Sequence, residues 1–165
     1  MNLPIFRRAT VVLAAIAIMA LPVVALTACD DDDERGQEAG VAKPGITIKN
    51  PRVRATETDV TAAYFTVNNS GAADKLLSVS VDSAVAGMAQ LHTMVMQGGT
   101  AMMQQVSGID VPENRSVELK PGGFHVMIMN VKRPLKEGEM LTLQLTFEKA
   151  GKVEIKAPVQ PISGN

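Results

Sequence analysis

From about residue 45 onward, apolar and polar positions form short alternating runs broken by turn residues, with no convincing amphipathic helix. Ile46-Thr47-Ile48 opens the series, and Pro51, which cannot donate to a ladder, predicts an edge or a bend there. Ala62 to Asn68 is β-rich around Tyr64, Phe65 and Val67, and Asn68-Asn69-Ser70-Gly71 supplies a turn. Leu77, Val79 and Val81 alternate with Ser78, Ser80 and Asp82, which predicts a half-buried strand with those three apolar residues inside. Leu91–Met96 and Ala101–Val106 flank Gln97-Gly98-Gly99-Thr100, a hairpin signal because Gly-Gly accepts positive φ. Val117–Leu119 follows, then the turn Pro121-Gly122-Gly123, which delivers Phe124–Met129. Leu141–Phe147 alternates cleanly, Ala150-Gly151 turns, and Val153–Ile155 closes the series. Some eight strands with turns at short intervals predict an all-β sandwich or barrel, and there is no internal repeat.

The N-terminal part follows a different pattern. Arg7 and Arg8 precede an apolar run from Ala9 to Leu26, long enough for a retained span on length alone. Leu26-Thr27-Ala28-Cys29 resembles the bacterial lipobox, in which the cysteine becomes the lipidated first residue of the mature chain. Residues 1–28 are therefore expected to be a lipoprotein signal peptide and Cys29 the lipidation site. On this reading the rest of the chain lies outside the cytoplasmic membrane, periplasmic or on the outer face, tethered by lipid. Residues 29–42, with Asp30 to Asp33 and Glu34 in a row, read as an acidic disordered tether rather than a hard-metal site.

Removing residues 1–42 leaves 123 residues with 13 Lys+Arg and 11 Asp+Glu, enough chain for one core spanning 43–165. The whole chain has a formal charge of −1, so there is no basic field to hold nucleic acid. Beyond residue 28 the aromatics are Tyr64, Phe65, Phe124 and Phe147, too few for a base-stacking platform. Cys29 is the single cysteine, which excludes an internal disulfide and any thiolate-rich metal cluster.

Methionine changes the picture. Seven of the ten (Met88, Met94, Met96, Met102, Met103, Met127, Met129) fall within 42 residues, and both histidines, His92 and His125, lie in the same window. On a strand, side chains i and i+2 share a face about 6–7 Å apart. His125 and Met127 then point one way with Met129 beyond them, while Phe124, Val126 and Ile128 face the core. His92, Met94 and Met96 share a face, and Met103 lies across the Gly98-Gly99 turn. If the two regions are neighbours, two imidazoles and at least two thioethers converge. Neutral soft-to-borderline donors of this kind suit Cu(I), whereas zinc favours thiolate or carboxylate. A blue-copper electron-transfer centre needs a cysteine thiolate that the β-domain lacks. Set against this is ordinary packing, since methionine is a flexible core filler.

Spacing favours the metal. His92, ten residues, Met103, twenty-one residues, His125, one residue and Met127 resemble the signature of the periplasmic copper(I) chaperones of the PCuAC family. Ala62–Asn69, Val117–Met127, Leu135–Gly138 and Leu143–Phe147 also resemble that family, so the likeness covers nearly all of residues 45–158. The resemblance implies a Greek-key β-barrel of cupredoxin type, one bound Cu(I), and His92, Met103, His125 and Met127 as its ligands. It further implies copper delivery toward the CuA centre of cytochrome c oxidase subunit II, often beside Sco-type thioredoxin-like proteins. The chain departs from members with a His/Met-rich tail by ending Val159-Gln160-Pro161-Ile162-Ser163-Gly164-Asn165, which does not support a second copper site there.

Met94 and Met129 are expected to shield the metal with apolar sulfur, and Met102 and Met88 to be packing. The expected chemistry is ligand exchange rather than catalysis, because no nucleophile set, phosphate-cradling loop or carboxylate pair accompanies the histidines. Copper storage or resistance would use the same site, and a structural β-sandwich with a Met-rich core is the remaining alternative.

Overall fold

The computed structural model describes residues 45–161. The signal segment, Cys29, the tether and the last residues of the 43–165 domain fall outside them. Ten strands form: β1 Ile46–Arg54, β2 Val60–Asn69, β3 Asp74–Val81, β4 Ala86–Gln97, β5 Thr100–Gln105, β6 Ile109–Val111, β7 Ser116–Leu119, β8 His125–Val131, β9 Met140–Phe147 and β10 Lys152–Gln160. Among the described residues there is no helix, and so none long and apolar enough to cross a membrane.

Hydrogen bonding orders the strands β5-β4-β8-β2-β1-β10-β9-β3-β6, with β7 also on β2. The two halves of this open path meet at a short parallel ladder, Val53↔Val159 and Arg54↔Gln160. Their inner faces share one core, in which Phe65, Leu119, Val126 and Ile128 from the first half join Leu76, Leu143, Leu145, Phe147 and Ile155 from the second. The period-2 pattern explains this directly: along β9, Leu141, Leu143, Leu145 and Phe147 are buried while their neighbours are not. The expected all-β class is therefore observed, as an unclosed sheet folded over a single core.

Three irregularities correct the sequence reading. Pro51 does mark a bend, yet β1 is an interior strand between β2 and β10. The register shifts by one residue between Lys49 and Arg52, with Asn50 at φ 50°, so the missing N–H falls where the ladder is already interrupted. In β3 a similar shift between Leu76 and Ser78 re-phases the strand. Leu76 and Val79 are buried and Leu77 is turned out, contrary to the simple alternation. The short strand β6 was not expected, because Ile109 and Val111 give too brief a pattern to read.

A further irregularity builds the site. β7 and β8 lie end to end along β2, pairing Phe65↔Leu119 and Ala63↔Val126. Between these pairs β2 advances two residues and its partner seven, so Lys120 to Phe124 bulge out of the ladder. Lys120 N–H donates to the Phe124 carbonyl at 2.8 Å and Gly123 N–H to the Lys120 carbonyl at 3.0 Å, closing the loop. Gly122 takes φ 78°, a left-handed value that glycine adopts without a Cβ penalty.

Candidate metal centre

β4 pairs antiparallel with β8, and the register sets His92 directly opposite His125. Leu91 and Val126, their neighbours, are opposite each other on the core side. The histidines therefore occupy the outer face of the sheet, with ring centroids 5.8 Å apart and planes inclined by 47°. On the same face, Met94 of β4 is opposite Met103 of β5, and Met127 of β8 is opposite both Gln90 and Ala62. Met94, Met103, His125 and Met127 line one cavity of about 420 Å³, roofed in part by Pro121 and Gly122 of the bulged loop. Sequence periodicity placed these side chains on their faces; the β4–β8 register is what joins them.

The two imidazoles are prepared in complementary ways. His125, buried on the outer face, has Nδ1 3.0 Å from the Gly123 carbonyl. A carbonyl only accepts, so Nδ1 carries the proton and Nε2 keeps its lone pair. His92 has Nε2 3.2 Å from Gln90 Oε1, which makes Nε2–H the donor. Its Nδ1 is then a lone pair, buried and without a hydrogen-bond partner. A buried polar atom without a partner is unusual in a native fold, and a metal ion is one thing that satisfies it. Burial pushes the His92 pKa below its ordinary value, and the neighbouring His125 charge lowers it further. Both effects favour the neutral, ligating form.

The surroundings are equally selective. Among the described residues, no three His, Cys, Asp or Glu side chains gather as a metal group, and no carboxylate lines the cavity. Arg52 of β1 stacks over the buried Tyr64 ring at 5.3 Å, closing the sheet face on the β2 side. Arg54, Thr56 and Thr61 also line the cavity.

The structure thus brings His92, His125, Met103 and Met127 to one face; Met94, Met103, His125 and Met127 line the cavity, while His92 is opposite His125 and does not itself line it. Met94 is half-buried whereas Met103 is 55% exposed. Met129 stands apart. It is two residues beyond Met127 and registers with Met88 and Val60, not with the histidines, and it does not line the cavity. Met102 and Met88 are 48% and 43% exposed, so neither is core packing; β5 runs along the sheet edge beyond the core, and Met88 is on the outer face. Gln90 was missed, although its position two residues before His92 on one strand was a readable signal. The Gly123 carbonyl was not readable, because it depends on how the looped-out segment closes.

The fold is that of the PCuAC domains. The "Copper-bound PCuAC domain from PmoF2" superposes with a TM-score of 0.62 at 29% identity, over 74% of this chain and 97% of that one. The "Solution structure of CuI-DR1885 from Deinococcus Radiodurans" gives a TM-score of 0.58 at 31% identity, over 72% of this chain and 80% of that one. By sequence, residues 46–159 match the family described as "Putative lipoprotein LpqE-like", and the chain belongs to that family. A curated relative, "Putative lipoprotein Lxx21020" of Leifsonia xyli subsp. xyli, is 32% identical over 129 residues, 78% of this chain and 77% of its own.

Proposed function

We propose that this protein is an extracytoplasmic, lipid-anchored Cu(I) chaperone that holds one Cu(I) on His92, Met103, His125 and Met127 and releases it by ligand exchange. The observation that carries this reading is the pair of opposed imidazoles, each with one nitrogen engaged by a protein acceptor and the other left as a lone pair. Four neutral donors match the softness of Cu(I) and leave its positive charge uncompensated, so a thiolate-bearing acceptor can take the ion. The likeness to copper-bound PCuAC domains and the lipoprotein names of the family and the curated relative support the same reading.

Within it, Cys29 carries the lipid and residues 29–42 hold the domain off the membrane. The acceptor is the CuA centre of cytochrome c oxidase subunit II, with Sco-type proteins as co-workers. The test is anaerobic Cu(I) titration against a competing chelator, followed by mixing the loaded protein with an apo CuA domain. One equivalent bound and then transferred is expected. Binding without transfer favours storage, and no binding overturns the reading.

A further inference from the structure

The β4–β5 hairpin extends the sulfur-bearing face past the histidines. Met96 is opposite Ala101, one same-face step beyond the Met94↔Met103 pair, which makes Met96 the diagonal neighbour of Met103. Same-face steps on a strand are about 6–7 Å, and diagonal neighbours across a ladder about 7–8 Å, within reach of long side chains. Met94, Met96 and Met103 therefore form a triangle of thioethers at the free end of the hairpin. Exposure rises outward, from half-buried Met94 through Met103 at 55% to Met96 at 71%.

Packing does not account for Met96, because a side chain this exposed contributes little to a core. The usual treatment of an edge strand is absent too. β5 is at the end of the sheet path with all six residues exposed, where charged side chains normally discourage pairing. Yet no Asp, Glu, Lys or Arg occurs between Asp82 and Asp110. The hairpin presents neutral amides and thioethers, which neither repel a monovalent cation nor hold hard ions.

We propose that Met94, Met96 and Met103 form an outer, all-thioether site that takes Cu(I) first and passes it inward to the histidines, with Met103 bound throughout. This extends the Cu(I) chaperone reading to the route of the ion. Two thioether bonds, from Met94 and Met96, break as bonds to His92 Nδ1, His125 Nε2 and Met127 form. Copper stays Cu(I) and no proton moves, since both ring nitrogens are already lone pairs. Release runs the same steps in reverse.

An outer station on the path does not alter the free energy of the inner complex. It lowers the barrier in both directions equally. In the full chain, Met96→Leu keeps the side-chain volume and removes the sulfur. It should slow uptake from a chromophoric Cu(I) chelator and release to it in parallel, each by at least about threefold, with equilibrium affinity within about twofold of wild type. The second arm uses Ag(I), a soft d¹⁰ probe, with the His92→Ala/His125→Ala variant. One equivalent should shift the ε-methyl NMR signals of Met94, Met96 and Met103 together, and adding Met96→Leu should abolish the effect. Unchanged exchange rates overturn the proposal, as does a Met96 methyl that ignores Ag(I). Lost affinity through faster release alone also overturns it, by making Met96 an inner ligand. Should wild-type protein bind no Cu(I), the chaperone reading fails while the Ag(I) arm still decides the outer site. Should the double variant not fold, the exchange rates decide.

Discussion

Replacing Gln90 by Leu removes the acceptor that fixes which nitrogen of His92 carries the proton. In the native protein, Nε2–H points to Gln90 Oε1 at 3.2 Å and Nδ1 is buried as a lone pair. Without that acceptor the ring is free to take the other tautomer, in which Nδ1 carries a proton and cannot bind a metal. Partners of this kind are generally worth about 10–100-fold in metal affinity. Two features place this one at the lower end: the bond is at the long limit of the usual range, and the ring is half-buried, so water can replace part of it. The expected loss for Gln90→Leu is therefore about tenfold in Cu(I) affinity, or about 1.4 kcal/mol. Gln90→Glu should match or exceed wild type, because a carboxylate makes a stronger, charge-assisted bond to the same N–H. The assay is chelator competition under anaerobic conditions at pH 7.5, with circular dichroism to confirm that each variant folds. A Gln90→Leu protein within about threefold of wild type would refute the tautomer argument.

His92→Ala and His125→Ala should each weaken Cu(I) by well over about tenfold in the same assay. Met94→Leu should do much less than Met103→Leu; the reverse order would exchange their roles. With the His92 pKa lowered by burial and by His125, protons compete for that nitrogen only at more acid pH than for an exposed imidazole. Affinity should be flat above about pH 7.5 and fall on acidification, as protons compete with the metal for the His92 nitrogen. For apo folding, the lowered pKa means stability present above the unfolded value of about 6.5 and lost as pH falls through the folded one, measurable by urea denaturation across pH. Burial opposes ionisation of Asp74, but backbone N–H donors from Lys149, Ala150 and Lys75 outweigh it and hold the pKa below its ordinary value. Asp74→Asn should therefore cost about 1–3 kcal/mol in denaturant melts at pH 7, with the difference shrinking as pH falls below about 4.

How much of this was legible in the sequence depends on the range of the interaction concerned. Face assignments for His92, Met94, His125 and Met127 follow from period 2 and survive intact, because no bulge interrupts β4 or β8 between those residues. The phase of β3 was misread because the shift at Leu77 is set by its partner β9, not by local pattern. Pro51 was readable as a bend but not as an interior position, since strand order is a long-range property. At the site, the donor types and spacing were visible, while the His92–His125 opposition required the β4–β8 register. Met129 shows the limit of the face rule: it shares a face with His125 and Met127, yet the distance accumulated along the strand sets it against Met88 instead.

X-ray absorption at the copper K-edge of the one-to-one Cu(I) complex tests the central claim most directly. The account predicts a Cu(I) edge and a mixed shell of two imidazole nitrogens and two thioether sulfurs. His92→Ala/His125→Ala should remove the imidazole scattering, and Met127→Leu should reduce the sulfur contribution. A wild-type shell without sulfur, or one unchanged when both histidines are replaced, would contradict it.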